Sequence, residues 1–168
     1  MFSRITTLTL IDQLIKFITL ALYRKKVILI NGFLSIELIK NQGISFGFLA
    51  NISKDKFIYL TVAKAIILVL LFIYYKIHVR RISRAKRIAM ELIISGGAGN
   101  LLDRVFYGAV VDMINLSFFG IHIFTFNIAD LYITFGVLLY LLYRNRKIHH
   151  TLQKDKYSKY KLKKEDNI

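Results

Sequence analysis

The sequence predicts an all-α membrane protein of four transmembrane helices, with a small extracytoplasmic β-ribbon or cradle between helices 1 and 2. Three observations lead there. Hydrophobic residues make up 55% of the 168 residues, at a mean hydropathy of +0.49, and they gather into long runs. About 20 apolar residues, rising 1.5 Å each, cross the roughly 30 Å hydrocarbon core of a bilayer. Proline is absent from the whole chain, so nothing removes a backbone donor inside those runs. The net charge of +15 is collected in clusters that border the apolar runs.

The first span runs from about Ile5 to Tyr23 and contains Asp12 and Lys16. Their i, i+4 spacing predicts an ion pair that lowers the cost of crossing. The segment lacks the charged, apolar and small-residue layout of a cleaved leader, so it reads as an uncleaved helix. After it, "VILINGFLSIELIKN" carries an Asn31-Gly32 turn signal, and Leu34, Ile36 and Leu38 alternate with Ser35 and Glu37. Period-two alternation around such a turn predicts a hairpin, its apolar side chains facing membrane or substrate. The second span covers about Phe57 to Ile77. The third covers about Ile88 to Val105, with Gly96, Gly97 and Gly99 available for close helix approach. The fourth covers about Phe124 to Tyr143. Residues 1–150 therefore form the transmembrane domain and 151–168 a basic cytoplasmic tail.

Charge placement sets the orientation. Lys76, Arg80, Arg81, Arg84, Lys86 and Arg87 lie between spans two and three, and the chain from Arg144 onward is again basic. Positive residues are retained on the cytoplasmic side. Both termini are thus expected inside, and the clusters need no nucleic-acid partner despite Tyr157 and Tyr160 in the tail. Arg24, Lys25, Lys26, Lys40, Lys54 and Lys56 run against this rule, since the same topology places their loop outside; Lys25 and Lys26 can snorkel from a helix end.

Several polar groups stand in apolar surroundings, where a central Asp or Lys costs roughly 2.5–3.5 kcal/mol. Asn100, Asp103 and Arg104, at i, i+3 and i+4, share one helix face, as do Asn127 and Asp130. Asp112 lies between them in "VVDMINL". Two carboxyls close together in a low-dielectric site do not both ionise easily, so one holds a proton while the other acts as base. Hydrolysis by an activated water needs that division. Paired intramembrane aspartates also suit a proton or cation pathway, and the glycines suit a non-enzymatic scaffold. Asp103 and Arg104 also read as a charge pair near the interface. Cysteine is absent, which excludes disulfides and thiol chemistry. His78 and His122 are isolated and His149 and His150 lie in the tail, so no metal site is expected.

Four blocks then carry a resemblance. "NQGISFGFL" at Asn41–Leu49 is similar to an Asn-x-Gly-x-Ala-Phe motif. "GGAGNLLDRVFYGAVVDM" at Gly96–Met113 is similar to Gly-Asn-x-x-Asp-Arg-x-x-x-Gly-x-Val-Val-Asp-Phe. "FNIAD" at Phe126–Asp130 is similar to Phe-Asn-x-Ala-Asp, and "DQLIK" at Asp12–Lys16 matches the polar pair of a first helix. In their order along the chain the blocks resemble lipoprotein signal peptidase, or signal peptidase II, over most of residues 5 to 143. The departures are Ser45 in place of alanine and Met113 in place of phenylalanine, both affecting groove shape more than chemistry.

The resemblance implies an aspartyl endopeptidase of the bacterial inner membrane that cleaves diacylglyceryl-modified prolipoproteins immediately before the lipidated cysteine. It assigns catalysis to Asp112 and Asp130, near the extracytoplasmic face. It gives supporting or substrate-binding positions to Asn41, Gly43, Asn100, Asp103, Arg104 and Asn127. It also implies no metal or other cofactor, contact with membrane lipid, and inhibition by a globomycin-type compound in the same groove.

Overall fold

The structure, a computed structural model, describes residues 2–22, 27–30, 32–42, 54–119 and 121–143. Gly43, the rest of the "NQGISFGFL" block beyond Gln42, and the basic tail lie outside the described residues. Four helices and four strands follow one another: α1 (Phe2–Leu22), β1 (Val27–Ile30), β2 (Leu34–Asn41), α2 (Lys54–His78), α3 (Arg84–Tyr107), β3 (Val110–Phe118), β4 (Ile121–Phe126) and α4 (Ile128–Tyr143).

Two helices, over Arg4–Leu22 and Asp55–His78, are long and apolar enough to cross a bilayer. Large apolar side chains remain exposed along α1, at Leu10, Leu14 and Phe17, and along α2, at Ile66, Ile67 and Leu70. Polar side chains, by contrast, are buried: Asp12, Lys16, Glu91, Asp103, Asp112, Asn127 and Asp130 all face inward. This inversion suits a lipid surround, where the hydrophobic effect does not drive helices together and small residues and polar contacts do so instead.

Helix α3 is the centre of the bundle, contacting α1 and α2 and leading into β3. Its glycines allow this. A Cβ at Gly96 would strike the Ala129 carbonyl of α4, and one at Gly99 would strike the Asp12 carboxylate of α1. From α4, a Cβ at Gly136 would come within 2.7 Å of the Ala89 carbonyl. Toward the other end, Tyr75 donates a 2.7 Å hydrogen bond to Glu91, which also pairs with Arg4. That contact ties α1, α2 and α3 beside an apolar cluster of Tyr75, Val79, Met90 and Ile94.

The predicted hairpin forms, with β1 and β2 antiparallel and Gly32 at φ +77° in the turn. The sheet is larger than the sequence reading allowed. Strands β3 and β4 join it in the order β1-β2-β3-β4, all antiparallel. The expected start of the fourth span near Phe124 is therefore corrected: Phe124 to Phe126 belong to β4, and α4 begins at Ile128. The misreading has a physical cause. β4 is a short apolar stretch that runs into apolar α4 with only Asn127 between them, and such a run cannot be told from the start of a helix by periodicity alone.

Register then sorts the side chains. Leu34, Ile36, Ile114, Leu116, Phe124 and Phe126 fall on one face, through the pairs Leu34↔Leu116, Ile36↔Ile114, Leu116↔Phe124 and Ile114↔Phe126. Asp112 continues that apolar row. The β2 register shifts between Ile36 and Ile39, where Glu37 and Leu38 together stand against Met113, one residue more than the partner strand, and Ile39 comes opposite Asp112. Such a bulge re-aims the side chains that follow it, and Asn41 ends up within reach of Asp112.

Candidate active site

Each aspartate is placed by a chain break in regular structure. Gly108 ends α3 in the left-handed region at φ 65°, its N–H donating to the Arg104 carbonyl. Glycine takes that conformation without the Cβ penalty. The chain then turns directly into β3, which carries Asp112 four residues on. Asp130 sits in the first turn of α4, in an exchange that "NIAD" encodes. The Asn127 side-chain oxygen accepts the Asp130 N–H at 2.9 Å, and the Asp130 carboxylate accepts the Asn127 N–H at 3.3 Å. This is a capping box, so the local rule that starts α4 also fixes the carboxylate. The helix N-terminus adds partial positive charge beside it.

Asparagines join the two carboxyls. Asn127 donates its amide to Asp112 Oδ1 at 2.7 Å, and Asn41 donates to Asp112 Oδ2 at 2.9 Å. Asn100 donates to Asp130 Oδ1 at 2.9 Å while its own oxygen accepts from Asn127 at 3.1 Å and from Lys16 at 3.2 Å. Asp112 and Asp130 line one small cavity of about 10 Å³ with Asn41, Lys64, Asn100, Arg104 and Val110. That volume is on the scale of a single water site. Burial, together with the nearby charge of Asp130, pushes the Asp112 carboxyl up to about 7, against the opposing hydrogen bonds from Asn41 and Asn127. At neutral pH Asp112 is therefore poised to hold a proton.

Beneath the cavity lies a second charged group, fully buried. Lys16 pairs with Asp12 at 2.8 Å and with Asp103 at 2.7 Å. The expected Asp12–Lys16 pair is thus present. The reading of Asp103 and Arg104 as a charge pair is corrected: neighbours in a helix do not face each other, and Asp103 turns to Lys16 on α1. Both structural carboxylates also hold backbone. Asp103 accepts the Val111 N–H at 3.1 Å, and Asp12 accepts the Ala129 N–H at 2.9 Å. Each anchors the residue immediately before an aspartate of the cavity. Gln13 links them further, donating to Asp103 at 2.9 Å and to the Gly99 carbonyl at 3.1 Å.

Arg104 takes the opposite side of α3, over the Phe57 ring at 5.1 Å and donating to Thr61 at 3.4 Å. It lines a groove of about 170 Å³ between α2 and α3, with Lys64, Leu68, Leu71, Gly97 and Asn100 among its walls. Of the residues expected from sequence, Asn41, Asn100, Arg104, Asp112 and Asp130 meet at the cavity, Asn127 bridges the carboxyls, and Asp103 stands behind them. Gln13 and Lys64 were not anticipated. The signal for Lys64 was present, as the only charge between Lys56 and Lys76 in an apolar helix. Among the described residues no three His, Asp or Glu side chains are grouped as metal ligands.

Residues 5–145 match the profile of the peptidase family A8, described as signal peptidase (SPase) II. A lipoprotein signal peptidase of Fusobacterium nucleatum is 37% identical over 146 residues, covering 83% of this chain and 84% of that protein. One from Borrelia turicatae is 32% identical over 151 residues, covering 84% and 87%. A bacterial membrane enzyme solved by the in meso method at 2.3 Å superposes with a TM-score of 0.73 at 28% identity, over 88% of each chain. The match extends across nearly all of the bundle and its sheet, and this protein belongs to the signal peptidase II family.

Proposed function

We propose that this protein is an intramembrane aspartyl endopeptidase that removes signal peptides from diacylglyceryl-modified prolipoproteins, cleaving immediately before the lipidated cysteine. The observation that carries the reading is the pair Asp112 and Asp130 at one cavity, held by reciprocal asparagine hydrogen bonds. The names of its relatives support the substrate class.

Asp130 takes a proton from water as the water oxygen bonds to the scissile carbonyl carbon. Asp112 gives its proton to the carbonyl oxygen, producing a neutral tetrahedral diol. Collapse returns a hydroxyl proton to Asp112 while the Asp130 proton passes to the leaving nitrogen, so the C–N bond breaks and both carboxyls regain their starting states. Asn41, Asn100 and Asn127 orient the carboxyl oxygens, and Asp103 holds the strand behind Asp112. Arg104 lines the groove, and Gly43 is assigned a substrate-binding role by its motif position alone. No metal takes part in this scheme.

The groove between α2 and α3, walled largely by apolar side chains, suits a substrate that is part helix and part lipid. Burial at about 0.8 kcal/mol per methylene assists capture of the acyl chains, and a globomycin-type inhibitor competes for the same space. Purified protein in detergent is expected to release the signal peptide from a diacylated prolipoprotein and to leave the unlipidated precursor uncut. A lipidated precursor that stays intact overturns the reading.

All four helices cross the membrane in this proposal, with both termini cytoplasmic and the sheet and aspartates near the extracytoplasmic face. A reporter inserted near Ser83 is then expected to read cytoplasmic, and one near Ser117 external. An external reading at Ser83 excludes the arrangement.

A further inference from the structure

Lys64 is the one charged side chain at the cavity for which the mechanism has no use. It lies ten residues, about 15 Å, inside α2 (Lys54–His78). It is half-buried and lines both the dyad cavity and the neighbouring groove. An ionisable residue at such a depth is retained for a partner. Among the described residues it has no hydrogen bond or ion pair at contact distance, yet its charge acts on Asp130 and on Asp112.

The charged groups around it are arranged unequally. From α3, Arg104 faces Lys64 with like charge; from α4 and β3 come Asp130 and Asp112; from α1, Lys16 reaches toward both aspartates but is already shared by Asp12 and Asp103. Unlike Lys16, Lys64 forms no salt bridge to a carboxylate among the described residues. Asp130 feels it among its neighbouring charges, whereas for Asp112 the leading charge is the Asp130 carboxylate.

We infer that Lys64 is a positioning residue for the dyad, whose ammonium at the cavity adds to the groups that hold negative charge on Asp130 and so helps leave the shared proton on Asp112. The inference rests on the proposed protease mechanism. Negative charge on Asp130 is favoured by the hydrogen bonds from Asn100 and Asn127, by Lys16, and further by Lys64. That charge in turn raises the cost of ionising Asp112. Removing the ammonium makes both carboxyls harder to ionise, so the pH range in which one proton is shared moves upward.

The test is the pH dependence of kcat/KM for cleavage of a diacylated prolipoprotein by wild type, Lys64→Met, Lys64→Gln and Lys64→Arg, with thermal unfolding in detergent measured in parallel. The wild-type rate is expected to fall above about pH 7, as Asp112 loses its proton. In Lys64→Met the whole profile moves to higher pH by roughly one unit, the scale of a nearby charge, and Lys64→Arg restores it. Should Lys64→Met fail to fold, Lys64→Gln reads the same shift. A neutral variant that folds, cleaves and keeps the wild-type profile overturns this role for Lys64 while leaving the protease reading intact. A wild type that cuts nothing overturns the protease reading itself.

Discussion

Asp112→Asn and Asp130→Asn are each expected to abolish cleavage in a protein that still folds. The amide keeps the size of the carboxyl and most of its hydrogen bonding, but it neither accepts nor delivers the proton. General acid–base assistance is worth roughly 10²–10⁴-fold, and groups that act as a unit lose nearly everything together. The double variant is therefore expected to be little slower than either single one. Asp112→Asn still accepts from one of Asn41 and Asn127 through its side-chain oxygen. At Asp130 the capping exchange with Asn127 survives through the amide oxygen. Cleavage by each purified variant, with folding followed separately, is the measurement. Near-normal activity in either folded variant removes that aspartate from the mechanism.

The second large effect is structural. Lys16→Met is expected to destabilise the bundle by on the order of 3–5 kcal/mol, because two buried carboxylates, Asp12 and Asp103, lose their shared cation. Breaking one partner of a buried pair costs more than removing the whole set, so combining Lys16→Met with Asp12→Asn and Asp103→Asn is expected to recover part of the loss. Asp103→Asn alone can still accept the Val111 N–H and should reduce activity less than either substitution at the cavity, acting through stability. Thermal unfolding in detergent separates these cases. A Lys16→Met protein as stable as wild type would show that the buried charges are compensated elsewhere.

What could be read from sequence was whatever depends on local spacing. Asp12 and Lys16 stand one helical turn apart and pair. The turn signal at residues 31 and 32 marks the hairpin, with Gly32 at a positive φ between β1 and β2. The motif "FNIAD" held more than its resemblance, since Asn127 and Asp130, three apart, are the spacing of a capping box. The hairpin of β3 and β4 was hidden, because buried β3 loses the alternation that reveals strands and apolar β4 runs into α4 with one residue between them. Its consequence was a fourth helix expected to begin too early.

The sequence by itself determined which residues were costly to bury, the order of the motif blocks and the long apolar helices. These follow from residue type and from contacts within a turn or two. Only the tertiary structure decided which buried charges meet. Asp103 joins Lys16 across two helices because its neighbour Arg104 points to another side of α3. Asp112 reaches Asp130 because Gly108 ends one helix, a strand runs out and back, and Asn127 starts the next. Lys64 gains its place at the cavity only when α2 lies beside α3. Those contacts depend on the packing of distant segments, set here by small residues such as Gly96 and Gly99 and by the polar groups they allow to meet.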